Sequence, residues 1–449
     1  MKIIIAGAGE TGFHLAKLLS FESQDITLID LDKNALAYAE NHLDIRAVKG
    51  DATSINVLKN ANVGNADLII AVTGVETANI TICVLANELG VKQSIANISN
   101  TEFIDNEEEI GFKKFGIDEL ISPEMLAANE INLLLNQSAF DDTYEFENGA
   151  LVMLGTHLDP EAPFVGKSVQ EAAEFFPELH FVPIAIQREG THFTIIPRGS
   201  TKFKAGDHVY FITSKGGEDE LCKLTGKEKA KIKDVMILGG SKIGAKATKD
   251  LVNDRFNVKL VEKDPDKAFD LADNLHKALV INGDGRNVEL LEEENLHDMD
   301  AFVAVTGNSE TNIMSCIIAK SKGVSKTIAL VENMDYFQLS HSIGVDTLIN
   351  KKLLAANSIF RHIRRGEVLA MTKLNNMNAE LLEFEVKETS EVANTIIKEI
   401  DFPTSAVIAG VVRDNIGMIA LGGFEIKPKD KVVVCCLPKS IVQVEKLFV

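Results

Sequence analysis

The chain repeats itself after about half of its length. Residues 2–12 and 234–244 share an apolar run followed by a glycine-rich loop, at an offset of 232 residues. The tetrapeptide Ala-Val-Thr-Gly at 71–74 recurs at 304–307, where the offset is one residue larger. Matches that keep the same order along 449 residues indicate a duplication. The chain must therefore build one architecture twice.

Each copy opens with short apolar runs that alternate with helical patterns. Runs rich in isoleucine and valine occur at 3–5, 26–29 and 67–72, and helical periodicity occurs at 11–20 and 76–89. Strands that are apolar throughout need helices on both faces of their sheet. The sequence therefore predicts an α/β fold in which each copy contains a Rossmann-like, doubly wound parallel sheet.

A smaller module follows each large one. From about 140 to 222 the sequence changes to short strands with glycine turns, which predicts a small α+β domain. Its ending at 199–209 resembles 422–432, and each has seven residues between a glycine and an aspartate. The polar stretch 225–233 has the composition of a linker. The predicted domains are two Rossmann-like ones, 1–136 and 233–365, and two small ones, 140–224 and 367–449.

Composition narrows the function classes. The net charge of −20 would repel phosphate backbones, so we expect no nucleic-acid partner. No apolar run approaches the roughly 18–20 residues that span a bilayer, and the start lacks the organisation of a cleavable signal, so we expect a cytoplasmic location. Five scattered cysteines form no metal motif, and we interpret them as buried apolar residues in a reducing compartment.

The acidic charge is concentrated in the first half. Residues 1–225 hold 16 basic and 34 acidic side chains, and residues 226–449 hold 30 and 32, which gives net charges of −18 and −2. Arg361, Arg364 and Arg365 have helical spacing and share one face. That face is either solvated or in contact with the acidic first half.

The first glycine-rich loop has the full context of a dinucleotide-binding motif. Gly7-x-Gly9-x-x-Gly12 follows a strand and opens a helix, and Asp30 comes about 20 residues later. Gly7 permits the tight turn, Gly9 lets the backbone approach a pyrophosphate, and Gly12 lets the helix pack on the strand. The phosphates would then meet the amides at the positive end of the helix dipole.

Residues after the second, third and fourth strands complete this predicted site. Asp30 would accept hydrogen bonds from ribose hydroxyls and disfavour a 2′-phosphate, so NAD(H) is preferred to NADP, with ATP or ADP as alternative ligands. Gly50–Thr53 would lie beside adenosine, and Thr73–Asn79 would lie across the crevice. The predicted cofactor-binding residues of the first copy are Gly7, Gly9, Glu10, Thr11, Gly12, Asp30, Asp51, Ala52, Thr73, Gly74, Glu76 and Asn79.

The second loop departs from the motif. Ser241 stands where the close approach of a phosphate favours glycine, and its Cβ narrows the space between the loop and a phosphate. Lys242 and Arg286, in contrast, could offer positive charge to a phosphate. Ligand binding and a purely structural loop therefore both stay open for this copy. Its candidate residues are Gly239, Ser241, Gly244, Glu262, Asp284 and Thr306.

Catalytic and metal motifs are missing from the sequence. It contains no GxxxxGK[ST], HExxH or GxSxG run, and its ten histidines show no metal-ligand spacing. We therefore predict no catalytic residues, no metal and no enzymatic activity. A nicotinamide-dependent oxidoreductase is the alternative from another class.

In the order of its domains and in several motifs, the chain resembles the TrkA family, which is built from two regulator-of-potassium-conductance (RCK) units. The resemblance rests on Gly7–Gly12, Asp30, Gly50–Thr53, Ser122–Glu124 and Arg364–Val368, and it covers essentially the whole chain. Each motif by itself occurs in many nucleotide-binding proteins. The specific feature is the duplicated order of domains.

The resemblance implies a regulatory subunit that lies on the inner face of the cell membrane. It implies a homo-oligomeric ring, a tetramer, beneath a potassium-translocating membrane subunit of Trk type, whose shape changes with bound NAD(H) or ATP/ADP. Members often carry arginines after the fifth strand, where this chain has Ala96–Ser99. An RCK-type regulator of another cation channel or antiporter is a further alternative.

Overall fold

The computed structural model divides the chain into two compact units of non-contiguous sequence. One unit comprises Met1–Ile131 and Val235–Phe360, and the other comprises Asn132–Asp234 and Arg361–Val449. None of the described helices is long and apolar enough to cross a membrane. The residues that the structure describes are 1–20, 24–136, 140, 142–147, 149–175, 181–191, 193–226, 232–332, 344–363, 370–374 and 377–448.

The first Rossmann-like domain has a six-stranded sheet. Its strands are β1 (Lys2–Ala6), β2 (Asp25–Asp30), β3 (Arg46–Lys49), β4 (Leu68–Ala71), β5 (Gln93–Asn97) and β6 (Glu119–Ile121). Its helices are α1 (Glu10–Ser20), α2 (Lys33–His42), α3 (Ile55–Asn60), α4 (Glu76–Glu88), α5 (Glu102–Asp105), α6 (Glu107–Ile110) and α7 (Pro123–Asn136). All neighbouring strands run parallel, in the order β3-β2-β1-β4-β5-β6.

The first small domain follows α7 and is antiparallel. Its strands are β7 (Asp142–Phe146), β8 (Leu151–His157), β9 (Phe181–Gln187), β10 (Thr194–Ile195) and β11 (His208–Ser214). Its helices are α8 (Val169–Phe175) and α9 (Glu218–Leu224). The sheet order is β10-β9-β11-β8-β7, with antiparallel neighbours.

The second Rossmann-like domain repeats the first. Its strands are β12 (Asp234–Leu238), β13 (Asn257–Glu262), β14 (Leu279–Asn282), β15 (Ala301–Ala304), β16 (Lys326–Leu330) and β17 (Thr347–Ile349). Its helices are α10 (Lys242–Asn253), α11 (Pro265–Asn274), α12 (Val288–Glu293), α13 (Ser309–Ser321) and α14 (Lys351–Ile363). The order β14-β13-β12-β15-β16-β17 matches that of the first copy.

The second small domain closes the chain. Its strands are β18 (Ala370–Lys373), β19 (Glu380–Glu385), β20 (Thr395–Ile396), β21 (Ala406–Arg413), β22 (Ile416–Met418), β23 (Glu425–Ile426) and β24 (Lys431–Cys436), and its helix is α15 (Ile441–Phe448). The larger sheet has the order β18-β19-β24-β21-β22, and β20 pairs with β23.

The burial of the central strands explains the Rossmann-like architecture. Every residue of β4 and of its counterpart β15 is buried, because helices cover both faces of each parallel sheet. In the strand order 3-2-1-4-5-6 the order in which strands are added reverses between β1 and β4, although the strands stay parallel. Ligands of doubly wound sheets bind at this point. The predicted fold class is confirmed in both the large and the small domains.

The duplicated aspartate of the small domains is a buried anchor. Asp207 and Asp430 are each 1% exposed. Asp430 accepts two hydrogen bonds of 2.7 Å from Arg413, and Asp207 accepts one hydrogen bond from Arg188. Removing one partner of such a buried pair would leave an uncompensated charge. The sequence similarity of 199–209 and 422–432 thus records a shared structural device.

The two small domains pack against each other through one continuous core. That core contains Phe146, Met153 and Tyr210 from the first small domain and Leu381 and Val433 from the second. It buries large apolar side chains from both sheets, so each small domain uses the other to complete its interior.

A close backbone approach accompanies this packing. A Cβ on Gly417 of the second small domain would lie 1.9 Å from the carbonyl oxygen of Ala150 of the first. Only glycine permits these two backbone segments to come this near to each other. Arg198 of the first small domain also donates to the carbonyl oxygens of Thr404 and Ala406, at 2.7 Å and 3.1 Å.

A carboxyl group is buried where the two small domains meet. Glu383 on β19 is 3% exposed. It lies near the ion pair between Lys431 of the second small domain and Glu147 of the first, whose charged atoms are 2.5 Å apart. Burial, together with the negative charge of Glu147, raises the pKa of Glu383 to about 7, although Lys431 acts in the opposite direction.

This carboxyl group should make stability fall as pH rises. Below its ordinary pKa of 4.5 Glu383 is protonated in both the folded and the unfolded protein. Between pH 4.5 and about 7 Glu383 is ionised in the unfolded protein and still protonated in the folded one, so the free energy of unfolding falls as pH rises. In the wild type this ionisation should lower the free energy of unfolding by about 3 kcal/mol between pH 5 and pH 8, and Glu383→Gln should not show this decrease. Urea unfolding at both values measures it, with the exposed Glu385→Gln as matched control. Equal pH dependence in the three proteins would contradict it.

Two further sequence expectations concern cysteines and arginines. All five cysteines are buried and free, as predicted, and burial raises the pKa of the Cys83 thiol to about 12. Arg364 and Arg365 lie outside the described residues, as does the side chain of Arg361, so the proposed basic face is not described. Residues 227–231 of the predicted linker also lie outside them.

Candidate functional site

The first glycine-rich loop connects β1 to α1 through two glycines that the protein itself requires. Gly7 has a φ of +115°, in the region that side chains rarely adopt, and a Cβ there would lie 2.8 Å from the carbonyl oxygen of Val72. A Cβ on Gly12 would lie 1.9 Å from the carbonyl oxygen of Gly7. These two glycines therefore allow the turn and the close packing of α1 on the sheet.

Gly9 differs from both, because nothing in the chain explains it. A Cβ on Gly9 would meet no atom within 4 Å, and its φ lies outside the left-handed region. The space in front of it is open and adjoins the first turn of α1, which begins with Glu10 and Thr11. The amides of a first helical turn have no intrahelical partners and favour anions.

Asp30 lies directly beside this loop. It ends β2, and its carboxylate accepts hydrogen bonds from the amides of Ala8 at 2.5 Å and Asp32 at 2.7 Å. Each carboxylate oxygen has accepting capacity beyond one such bond. The acid therefore braces the loop and can still face a ligand hydroxyl.

The residues after β3 form a compact turn. Asp51 accepts from the amide of Thr53 at 2.9 Å and from its hydroxyl at 2.7 Å. The amide and then the hydroxyl hold the pKa of Asp51 below its ordinary value. Ala52 is buried behind it, at 7% exposure. Asp51 thus remains an exposed anion at the edge of the crevice.

The turn after β4 is held by Asn79. This side chain is 1% exposed; its oxygen accepts from the amide of Thr73 at 2.9 Å and from the Thr73 hydroxyl at 2.6 Å. Its nitrogen donates to the carbonyl oxygens of Thr73 and Asn97. These four bonds tie the ends of β4 and β5 together, so Asn79 supports the wall of the crevice. Gly74 beside it has open space at its Cβ position.

Glu76 holds the segment that follows β5. Its carboxylate accepts from the amides of Ser99 at 3.0 Å and Asn100 at 2.9 Å. The resemblance noted in the sequence implies arginine in this segment, whereas here a carboxylate accepts from two backbone amides. The structure thus brings the predicted first-copy residues to one edge of the sheet, with Glu76 and Asn79 committed to backbone groups.

The second glycine-rich loop keeps the turn and changes its use. Gly239 has a φ of +106°, and a Cβ on Gly244 would lie 2.0 Å from the Gly239 carbonyl oxygen. The Ser241 hydroxyl caps α10: it accepts from the amide of Gly244 at 3.2 Å and donates to the carbonyl oxygen of Val305 at 2.8 Å. A side chain thus occupies one of the amides that an anion would use.

Glu262 of the second copy is enclosed. It is 9% exposed and accepts from the amides of Gly240 and Asp264, both at 2.9 Å. Lys267 approaches its carboxylate to 3.3 Å. Burial acts to raise the pKa of Glu262, but the Asp264 amide and the charge of Lys267 outweigh it and lower the pKa.

Side chains from α11 also cover the second loop. A Cβ on Gly240 would lie 2.3 Å from Cδ1 of Leu271. At the repeat offset of 232 residues, Lys267 and Leu271 correspond to Ala35 and Ala39 of the first copy. Beside the second loop and its acid the second copy therefore carries a leucine and a lysine at positions where the first copy has alanines. Sequence reasoning missed both residues, although aligning α2 with α11 at that offset would have revealed them.

Asp284 and Thr306 complete the second set. Arg286 bonds Asp284 through two nitrogens, the shorter distance being 2.6 Å, and Lys263 lies 3.3 Å away. The hydrogen bonds from Arg286 hold the pKa of Asp284 well below its usual range. Thr306 bonds to Asn312 in the arrangement of the first copy. The charge that Arg286 could offer to a phosphate is therefore already paired.

No cluster of three or more histidine, cysteine or acidic side chains suited to a metal ion occurs among the described residues.

Comparisons with known proteins match this organisation. The TrkA-N domain family matches residues 3–123 and 235–351, and the TrkA-C domain family matches 157–226 and 381–449. Trk system potassium uptake protein TrkA homolog 1 of Methanosarcina mazei is 31% identical, with complete coverage of both chains. Trk system potassium uptake protein TrkA of Halomonas elongata is 31% identical, with 100% of this chain and 98% of that protein covered.

Solved structures show the same fold. The GsuK RCK domain has a TM-score of 0.61 at 15% identity, covering 99% of this chain and 94% of that chain. The GsuK channel bound to NAD has a TM-score of 0.62 at 15% identity, covering 99% and 78%. Two Rossmann-like domains alternating with two small α+β domains define a protein with tandem TrkA-N and TrkA-C domains. The chain belongs to the TrkA family, whose named members are potassium uptake proteins of the Trk system.

Proposed function

We propose that this protein is a nucleotide-sensing regulatory subunit that binds NAD(H), or ATP or ADP, and gates a membrane potassium-uptake protein. The observation that carries the proposal is the difference between the two crevices. A Cβ on Gly9 in the first would meet open space, whereas in the second Ser241 stands at the equivalent position and caps its helix, and Lys267 pairs with Glu262. Membership of the TrkA family supports the link to potassium uptake.

Each part of the first crevice has a role in this proposal. The pyrophosphate or polyphosphate lies over the first turn of α1, close to Gly9, Glu10 and Thr11. Asp30 accepts from the ribose hydroxyls and repels a 2′-phosphate, which favours NAD(H) over NADP. Asp51 and Ala52 border the adenosine, and Thr73 and Gly74 form the opposite wall. The second-copy set from Gly239 to Thr306 mainly supports the fold of its own domain.

The wider assembly belongs to the same proposal. The Rossmann-like domains are 1–136 and 233–365, and the small domains are 140–224 and 367–449. Identical chains form a ring, a tetramer, in the cytoplasm against the inner face of a Trk-type membrane subunit. The net charge of −20 suits the Lys/Arg-rich cytoplasmic loops expected of a membrane protein.

Capture of the native complex tests the partner. We expect the tagged full chain, drawn from gently solubilised membranes, to recover a polytopic potassium transporter. The association should weaken as salt is raised, because it depends on opposite charges. Tag-free membranes treated identically are the control. Recovery of another cation channel or antiporter would redirect the proposal, and recovery of soluble proteins alone would contradict it.

A further inference from the structure

The predicted first site is rich in negative charge. Glu10, Asp30, Asp51 and Glu76 are carboxylates, and none of the other residues predicted for this site has a cationic side chain. A nucleotide brings at least one further negative charge for each phosphate. The helix N-terminus offers the equivalent of only about half a positive charge. A cation from elsewhere in the molecule would offset this negative charge and strengthen phosphate binding.

A lysine from the second Rossmann-like domain stands at this position. Lys352, in the first turn of α14, places its Nζ 2.6 Å from the Oε2 of Glu10 in the first domain. The same ammonium lies 3.4 Å from Oε2 of Glu332, which belongs to its own domain. Glu10 is the first residue of α1, where phosphates bind on a helix of this kind. The ammonium therefore already lies at the mouth of the first crevice.

The two side chains of this ion pair differ in their exposure to solvent. The Lys352 side chain is 27% exposed and the Glu10 side chain 65%. Burial acts to lower the pKa of Lys352, but the hydrogen bond to Glu10 and the charge of Glu332 outweigh it and raise the pKa. Lys352 is thus a protonated group whose ammonium is held by the carboxylates of Glu10 and Glu332. Its exposed carboxylate partner can move away when another anion arrives.

The repeat distributes charge in a way that fits this arrangement. Lys242 of the second copy corresponds to Glu10, the first residue of α1. Lys352 corresponds to Glu124, since each stands three residues after the last strand of its sheet. The first domain thus carries carboxylates at both positions and the second carries lysines. A neighbouring ion pair, Lys351 with Glu124 at 3.3 Å, also joins a lysine of the second domain to a carboxylate of the first.

We propose that Lys352 completes the nucleotide site of the first domain by releasing Glu10 and binding a ligand phosphate in its place. The inference rests on the proposed function and adds a contact from the other half of the chain. Phosphate oxygens on the α1 amides repel the Glu10 carboxylate and attract the Lys352 ammonium, so both charges favour the exchange. Nucleotide binding then changes a contact between the two Rossmann-like domains.

Calorimetry on the full chain with adenosine, AMP and ADP tests this exchange. Lys352→Met keeps most of the aliphatic stem and removes the charge. We expect ADP affinity to fall about tenfold or more, the range of a lost charge-assisted hydrogen bond, while adenosine affinity stays unchanged. Glu10→Gln should raise ADP affinity, because it removes the competing carboxylate. A merely structural role for Lys352 would weaken adenosine and ADP to the same degree.

The adjacent lysine provides the matched control. Lys351→Met breaks the contact with Glu124 and should leave the affinity for both ligands within about twofold of wild type. Thermal unfolding confirms that each variant is folded. Wild-type ADP affinity in Lys352→Met, or equal losses for adenosine and ADP, would overturn the assignment while leaving the proposed function in place. Failure of the wild type to bind any nucleotide would overturn the proposed function, and this assignment with it.

Discussion

Nucleotide binding should be lost when Gly9 is replaced by valine. A Cβ at this position would meet no protein atom within 4 Å, and its φ lies outside the left-handed region, so the variant should fold normally. The branched side chain would occupy the space that a pyrophosphate needs above the first turn of α1. We expect affinity for NADH and ADP to fall at least about 100-fold, equivalent to about 2.8 kcal/mol. Calorimetry on the full chain measures the loss.

The corresponding position of the second copy supplies the control. Ser241→Val removes a helix cap and should cost about 1 kcal/mol of stability, yet leave nucleotide affinity unchanged. One nucleotide per chain is the expected stoichiometry. Gly12→Val is unsuitable for this test, because its Cβ would lie 1.9 Å from a carbonyl oxygen and disturb the loop itself. Undiminished binding by Gly9→Val would show that the ligand lies elsewhere.

Regulation of potassium flux should depend on Asp30 and depend little on Glu262. Asp30 lies at the open crevice and contacts the loop amide of Ala8, so Asp30→Ala removes the ribose acceptor. Glu262 lies beneath Lys267 in the second crevice, where its carboxylate is already paired. We expect Asp30→Ala to abolish the nucleotide dependence of flux and Glu262→Ala to preserve most of it. Flux through the reconstituted membrane partner, with and without nucleotide, is the measurement.

The expected size of this effect follows from symmetry. A swing from 1:99 to 99:1 between two shapes needs about 5.5 kcal/mol of differential affinity. One site usually contributes a coupling of about 1–3 kcal/mol, so several identical first-domain sites in a ring must act together. Loss of Asp30 removes the contribution of every chain at once. If Glu262→Ala abolished the response and Asp30→Ala spared it, the roles of the two domains would be reversed.

Much of the fold could be predicted from the sequence. Strand and helix positions follow from periodicities that involve residues only two to four positions apart. The glycines at 7 and 12 indicate a tight turn, because neighbouring backbone leaves no room for a Cβ. The order of matched segments predicts that both copies share one sheet topology, and the two strand orders are the same.

The candidate site could be predicted in part. The loop and its acid stand close together in the motif, so Gly9 and Asp30 could be named from spacing alone. Their role in binding stays a prediction. The motif does not predict that the Asn79 side-chain nitrogen donates to the carbonyl oxygens of Thr73 and Asn97, because these bonds depend on where two strand ends meet.

The sequence separates the two loops at Ser241, and the tertiary structure shows which side chains contact the second loop. Leu271 lies over Gly240, and Lys267 pairs with Glu262, because α11 packs across the end of β13 with these side chains turned toward the loop. A sequence pattern specifies which residues are present and does not specify the direction in which an exposed-face side chain points. The same limit applies to Ser241, whose hydroxyl serves its own helix.

The sequence by itself determined the strands and helices of the parallel sheets and the tight turns of the glycine-rich loops, because each depends on residues that are near one another along the chain. Comparison of segments 232 residues apart added the duplication. The tertiary structure decided which crevice is open and which cation stands at its mouth. Lys352 and Glu10 are separated by 342 residues and meet only because the two Rossmann-like domains pack together. Contacts of that kind depend on the packing of complete domains, which no local pattern encodes.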